Sequence, residues 1–552
     1  MHTKLTTALA LTLAAGTLLA GCSAKQPAAA GEEVKSGGEE SGAKPKIRVT
    51  IYDRGNVPPE EGTITNNRWT KWIQANAPVD VEFVAIPRNE YAQKLNALFA
   101  AGDAPDLILE YDPAYQAQLY NTKQIMPLDD LIQYAPNYKQ ILDANPALRK
   151  AGTYPDGKLY VIGNPRPVEP LDYLLIRRDW LSKLGLAMPA TLDDFYNVLK
   201  AFKEKDPDGN GKDDTFGMNL SQRGQVAVHM MFGNRLDKFE KHPWVKDQQG
   251  NLEFGWDNLQ AAVAFQKKLY DNGLVSKDYL TDDKGQKADQ DFINGKLGVY
   301  SGYDQNTLKK FRAANPDADL VPMPLPTTTF GSFSAQISPP FSNFTMINKN
   351  AKNPKAVMEF INFMLTPEAK TMFWFGVENQ NYAIAEDGCP DPSDFSVVNN
   401  KQLVYTSDMR AMFVLEWNQL SKEYGKCYGV IREPKARTPE VMATFEINKW
   451  YKHLQDEAKK VYVVKERPEA ATYILQPIMP DDLQINQTNG YKAIYDNFQK
   501  AIVSGSSYTV DQAVADSRKA WELASGGKVE AWMKDWWQKG SKSIPKVEDL
   551  YP

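Results

Sequence analysis

Asp206-Pro-Asp208-Gly-Asn210-Gly211-Lys212-Asp213-Asp214 is the sharpest local constellation in this 552-residue sequence. Alternating oxygen-bearing side chains with a glycine at the sixth place suit a hard cation such as Ca²⁺. A tight turn there aims Asp206, Asp208, Asn210 and Asp214 inward, while Lys212 offers its carbonyl. A complete EF-hand loop puts Glu at its twelfth place, and here that place is Gly217. The competing reading is a plain Asp/Gly/Asn turn. No nucleophile or base stands beside the loop, which argues against catalytic use.

Other reactive chemistry has little material. Four His and three Cys (Cys22, Cys389, Cys427) occur, none at zinc-finger, CxxC or HExxH spacing. There is no GxSxG and no P-loop. Lys and Arg total 64 against 69 acids, which leaves no basic footprint for nucleic acid. A glycosidase would need two carboxylates at a controlled separation, and acids this numerous exclude no pair.

The 12 Trp and 26 Tyr offer flat faces for sugar rings, with carboxylates, amides and Arg as partners for hydroxyls. Trp532, Trp536 and Trp537 stand at helical spacing beside Val529 and read as core. So do Trp72 and Trp180, at helix starts. The crevice candidates follow strands: Asp53 and Arg54, Glu110 and Tyr111, Tyr303 and Asp304, with Trp374, Asn379 and Tyr382 after a later helix. For each, the alternative is a solvated loop or a hinge hydrogen bond.

The elements that position these residues are legible. Lys46 to Tyr52 alternates and is β-branched, which predicts a strand, as does Val79 to Val84, with a helix between them around Asn67 to Ala75. Tyr91, Leu95, Leu98 and Phe99 mark one face of a helix that Gly102 closes, and a strand follows over Asp106 to Glu110. Strand, helix, strand, helix, strand is the pattern of an α/β lobe with a largely parallel sheet. A second run begins near Asp156 to Ile162 and passes through Leu174 to Trp180. It reaches a helix capped by Thr191, with Phe195, Val198, Leu199 and Phe202 as its buried stripe. Short strands are expected at Gly298 to Tyr300 and Asn343 to Asn348. Helices are expected from Asn353, with Pro354 in its first turn, and from Thr366. The last part reads mainly helical, with a capped segment from Thr509 and a final helix after Gly526-Gly527.

The N-terminus carries an export signal. Lys4 precedes an apolar run around Leu9 to Leu19, and Leu19-Ala20-Gly21-Cys22 ends it. These four residues resemble the lipobox of bacterial lipoproteins, which implies cleavage before Cys22 and a lipid on its sulfur. Residues 23 to 45, made of Ala, Gly, Ser, Glu and Lys, form a flexible tether. Outside the cytoplasmic membrane Cys389 and Cys427 pair or remain as two buried thiols; both options are open.

Several segments resemble the bacterial extracellular solute-binding proteins (family 1) of carbohydrate ABC importers, lipoprotein type. They are Tyr91 to Ile108, Met126-Pro-Leu-Asp-Asp-Leu131, Ile176 to Leu186 with Pro189 to Phe195, and Asn353 to Glu368, in family order. The resemblance implies an α/β, two-lobed periplasmic-binding-protein-like (class II) fold with a helical C-terminal extension. Its parts are a signal peptide (1–21), a tether (22–45), lobe I (46–165 and 341–385) and lobe II with the helical region (166–340 and 386–552). It also implies capture of an oligosaccharide by lobe closure, delivery to permease subunits and their ATPase, no reaction, and a monomer lipid-anchored to the extracytoplasmic side of the membrane. Loops like that at Asp206 occur in relatives as structural calcium sites. A sugar sensor serving a membrane histidine kinase, a peptide ligand, and an extracellular glycosidase are the rival readings.

Overall fold

The computed structural model describes residues 43–552 apart from 56, 58, 166–168, 172, 222, 239–240, 248, 283, 303, 338–340, 392–430, 435–436, 465–477 and 541–552. The strands run β1 (Lys46–Asp53), β2 (Asp80–Pro87), β3 (Leu107–Glu110), β4 (Ile162–Pro165), β5 (Leu174–Arg177) and β6 (Phe216–Met218). Four short ribbon strands follow: β7 (Arg235–Leu236), β8 (Lys241–His242), β9 (Trp244–Lys246) and β10 (Leu252–Phe254). After them come β11 (Leu297–Ser301), β12 (Leu320–Met323) and β13 (Phe341–Ile347). Two main sheets result, one ordered β2-β1-β3-β13-β4 and the other β12-β5-β11-β6.

In the first sheet β1 pairs parallel with β2 and β3, while β13 runs antiparallel to both β3 and β4. The expected parallel sheet is thus closed by a strand that returns from the other lobe. Its helices start where the sequence provides caps. The Asn67 side chain accepts from the Trp69 and Thr70 amides, and the Thr70 hydroxyl accepts in turn from the Asn67 amide, so donors without intrahelical partners are satisfied at Arg68–Asn76. Tyr91 and Leu95 are buried beneath Tyr91–Ala100, and Gly102 sits at φ +70° just past its end. The run Asp156 to Ile162, which opens the second group of elements in the sequence, packs in the first lobe. Leu159, Val161 and Ile162 join the core of Ile47, Val49 and Leu107, and strand geometry begins only at Ile162.

The second sheet has Val299 paired with both Ile176 and Met218. Thr191 caps Leu192–Glu204 with a full capping box to Asp194, and Phe195, Val198, Leu199 and Phe202 are buried, as their spacing requires. The C-terminal helices Pro439–Tyr462, Asp481–Val503, Val510–Leu523 and Gly526–Gly540 complete this lobe. Ile494, Phe498, Trp521 and Val529 enter the same core as Leu175 and Val299. Trp532, Trp536 and Trp537 pack against it, and Trp180 is fully buried, so these indoles are structural.

The chain passes between the sheets from β4 to β5 and again from β12 to β13. Those two passages touch: Pro170 bridges Ile337, and the Leu171 amide donates to the Gln336 carbonyl at 2.6 Å. A third connection lies at the start of Asp481–Val503. Ile478 packs on the first core and Met479 lies in the second, and the Asn121 side-chain amide donates to the Met479 carbonyl (3.2 Å) and to Asp481 Oδ1 (3.1 Å). Paired crossings of this kind form a hinge, where rotation of one lobe on the other is absorbed by a few residues. Among the described residues no helix is long and apolar enough to cross a membrane.

Candidate ligand crevice and metal loop

Strand ends in open α/β sheets leave their last side chains beyond the helices that cover the sheet. The carboxyl ends of β1 and β3 lie side by side and bring together Tyr52, Asp53, Arg54, Glu110 and Tyr111. Tyr52 stacks on Tyr91 at 4.3 Å between ring centroids and lies 5.2 Å from Tyr111. The Arg54 guanidinium stands 5.9 Å from the Tyr52 ring. The Tyr52 hydroxyl donates to Glu110 Oε1 at 3.2 Å, and the Asp112 amide donates to the same oxygen at 2.6 Å. Gln116, buried in the next helix, donates to the Glu110 carbonyl at 2.9 Å.

Glu110 is only 4% exposed. Burial pushes its carboxyl up to about 7, against the opposing pull of the Asp112 and Tyr111 amides and the Tyr52 hydroxyl. Burial therefore favours the protonated carboxyl far more than in an exposed glutamate.

The other strand-end candidates are placed differently. Asp53 accepts from the Gly55 amide at 2.9 Å and shapes its own turn. Asp304 is exposed and caps Gln305–Ala314, accepting from the Thr307 amide at 2.8 Å. Asn379 adopts φ +63°, and its amide donates to the Tyr382 carbonyl at 2.7 Å. Tyr382 is buried edge-on to Phe375 at 5.7 Å. These two residues belong to a turn after the Pro367–Phe375 helix. Tyr303, Cys22 and the Trp374 side chain lie outside the described residues. Cys389 is disulfide-bonded, and Cys427 lies outside the described residues.

Tyr52, Tyr91 and Gln116 escaped sequence reasoning as site residues. The alternation of β1 and the stripe of Tyr91–Ala100 count both tyrosines as core, and they are buried; the meeting of two strand ends shows that they also pack behind Tyr111 and Glu110. A small cleft lined among others by Asn219, Tyr279, Lys287 and Asp291 lies within the second lobe and includes none of these residues.

The metal loop is built on positive-φ turns at Asp206, Gly209 and Gly211. Asn210 Nδ2 donates to Asp208 Oδ2 (2.8 Å) and to Asp214 Oδ1 (3.1 Å), and the Gly211 amide donates to Asp206 Oδ2 at 3.0 Å. Asp206 and Asp208 touch through a hydrogen bond. Burial and then that contact push the Asp208 carboxyl up, whereas the contact and the Gly211 amide hold Asp206 down. Carboxyls crowded in this way fit a cation, which would replace the shared proton. Among the described residues no three His, Cys, Asp or Glu side chains are grouped to hold a metal by themselves, so the amide and carbonyl oxygens of Asn210 and Lys212 are needed as well. Lys296 Nζ already lies 3.1 Å from Asp214 Oδ2. The missing twelfth-place Glu has a packing reason: Gly217 is in β6, and a Cβ there would meet Leu199 Cβ at 2.7 Å.

With two sheets, paired crossings and this strand-end group established, the relatives of the chain can be compared. The profile of the bacterial extracellular solute-binding proteins matches residues 63–371. The chain belongs to this family. It is 30% identical over 425 residues to Lipoprotein LipO of Bacillus subtilis (strain 168), covering 73% of this chain and 78% of that protein. It is 32% identical over 300 residues to the polygalacturonan/rhamnogalacturonan-binding protein YtcQ of the same organism, covering 53% and 56%. The S. pneumoniae ABC-transporter substrate binding protein FusA shares the fold. Its kestose complex gives a TM-score of 0.66 at 21% identity, covering 90% of this chain and 99% of that one. Its EF-hand mutant in complex with fructo-nystose gives 0.65 at 20%, with the same coverage. As a member of this extracellular family, the solute-binding chain works on the extracytoplasmic side of the membrane and is of a non-catalytic type.

Proposed function

We propose that this protein is the substrate-binding lipoprotein of an ABC importer, capturing an oligosaccharide between two lobes and handing it to membrane permease subunits. The observation that carries the reading is the Tyr52–Tyr91–Tyr111 group around buried Glu110 at the strand ends of a lobe hinged to a second one. Of these, the half-buried Tyr111 offers a face on which a pyranose or furanose ring stacks, with Tyr52, Tyr91 and Glu110 buried behind it as its support. FusA with kestose supports a saccharide as the ligand class. We place lobe I at 46–165 and 341–385 and lobe II at 166–340 and 386–552, with Cys22 as the lipid attachment point after removal of residues 1–21.

The loop of Asp206, Asp208, Asn210, Lys212 and Asp214 would hold a Ca²⁺ ion as a structural cross-link; the EF-hand described for FusA supports this. Bound there, the ion supplies charge neutralisation and no reaction.

A thermal-shift screen of the protein against mono- and oligosaccharides tests the reading, since a ligand that binds only the folded state raises Tm by mass action. A saccharide that raises Tm and is recovered unchanged is the expected result. Conversion of the sugar, or stabilisation by peptides alone, would overturn it.

A further inference from the structure

The last residue of the helix Pro439–Tyr462 stands where the chain crosses between the lobes. Tyr462 is 1% exposed, and its hydroxyl accepts from the Leu174 amide at 3.0 Å and donates to the Met323 carbonyl. Leu174 is the first residue of β5 and Met323 the last of β12, and the two are paired across the ladder. One hydroxyl therefore bridges the strand ends at which one passage enters the second lobe and the other leaves it. The same residue grips both passages farther out. Its carbonyl accepts from Ser334 Oγ on the second, and its ring lies 5.9 Å from that of Tyr173, the last residue of the first. Just beyond, the passages meet each other through Leu171 and Gln336, and the Gln336 amide donates to Met230 Sδ at 3.4 Å in the helix Arg223–Met231. The chain that continues past Tyr462 packs on the first core at Ile478, so the third connection also starts from this residue.

We infer that Tyr462 is the hinge anchor: it fixes the second-lobe ends of the passages, so that the helix Pro439–Tyr462, β5 and β12 turn as one body when the lobes close. The inference rests on the two-lobed capture reading above and makes Tyr462 a positioning residue, acting on closure through the passages. A hinge concentrates rotation in a few residues only where the chain on either side is held. The ring alone fills its place in the core, and a phenylalanine would do the same. The hydroxyl adds the only part of the side chain that links the two strand ends. Without it the Leu174 amide and the Met323 carbonyl lose a partner in a buried place, where backbone groups are costly to leave unpaired. The strand ends then fray, and the passages move independently of the lobe they should follow.

The test is hydrogen exchange followed by mass spectrometry on the full chain in mild detergent, with no ligand added. In Tyr462→Phe the segments 169–173 and 324–337 should exchange about tenfold faster than in wild type, while 46–53 and 256–271 keep their rates. The Leu171 amide is the informative one, since it is held by Gln336 and does not touch Tyr462. Ser334→Ala, which keeps the hydroxyl and removes the second grip, should speed 324–337 by about threefold, and it decides the matter by itself if Tyr462→Phe does not fold. Thr509→Ala removes a helix cap elsewhere in the second lobe and serves as the control for general destabilisation. Wild-type rates in both passages, or the same acceleration in Thr509→Ala, overturns the anchor. Because no saccharide enters the experiment, that failure leaves the capture reading standing, and failure of every sugar to bind leaves the anchor standing.

Discussion

The two lobes reach similar α/β cores by different routes. The first draws its core from one stretch, Ile47 to Ile162, plus the returning strand and helices from Met346 to Phe373. The second sets its sheet against helices that lie far along the chain: Phe254 and Tyr491 close on Trp521 at 4.9 and 5.5 Å, and Tyr462 ties to β5 and β12. Their faces differ as well. The first gathers tyrosines around a buried carboxyl at its strand ends, whereas in the second the residue that follows β11, Asp304, is an exposed helix cap. A lobe assembled from consecutive elements can be read from local signals, whereas one completed by distant helices depends on partners that no local pattern names.

The largest expected effect tests that dependence. Trp521 is buried and closely framed, since a Cβ at Gly490 or Gly526 would come within 2.3 Å of its ring. Trp521→Ala should cost about 3–5 kcal/mol in urea unfolding, with the second-lobe sheet lost together with the helices. If hydrogen exchange shows only residues 481–540 opening, the C-terminal block is a separate unit and the contrast between the lobes fails.

Glu110 probes the first lobe's face. Its folded-state pKa of about 7 is raised above the ordinary glutamate range, so the folded state binds the extra proton. The stability this brings is complete below about pH 4.5 and lost as pH rises through 7, amounting to about 3 kcal/mol. Urea unfolding at pH 5 and 8 should show Glu110→Gln gaining about that much on wild type between the two. Parallel pH profiles would mean that the carboxyl is not held as described.

Calcium sharpens the comparison from the second lobe's Asp206 loop. At a hundredfold excess over its dissociation constant, Ca²⁺ should stabilise the protein by about 2.7 kcal/mol. The Asp206→Asn/Asp208→Asn variant should erase that gain, as read by Tm with calcium and with chelator. The smallest effect belongs to a local signal of the kind that makes an element legible in sequence. Thr191 Oγ accepts from the Asp194 amide at 3.2 Å, and Thr191→Ala should lower stability by about 1 kcal/mol in the same unfolding assay.

The sequence was most informative where one element carries its own evidence. The Thr191 cap, the Tyr91 and Leu95 stripe and the β-branched run of β1 all led to the observed elements. The rule that crevice residues follow strands pointed to Asp53, Arg54, Glu110 and Tyr111, which stand together at the ends of β1 and β3. It was silent where function arises from convergence. Gln116 carries no spacing that marks it, yet its side chain holds the Glu110 carbonyl from the next helix. The run Asp156 to Ile162 was given to the second unit because nothing local records that Leu159 and Val161 pack beside Ile47. The absence of Glu at the twelfth place of the Asp206 loop became intelligible only with Leu199 in view.

The central claim is capture by closure of two hinged lobes on a saccharide. Small-angle X-ray scattering of the protein with and without a saturating oligosaccharide identified by thermal shift tests it most directly. The account predicts a smaller radius of gyration on binding, as the lobes rotate about the 165–174 and 323–341 passages; an unchanged radius at full saturation would contradict it.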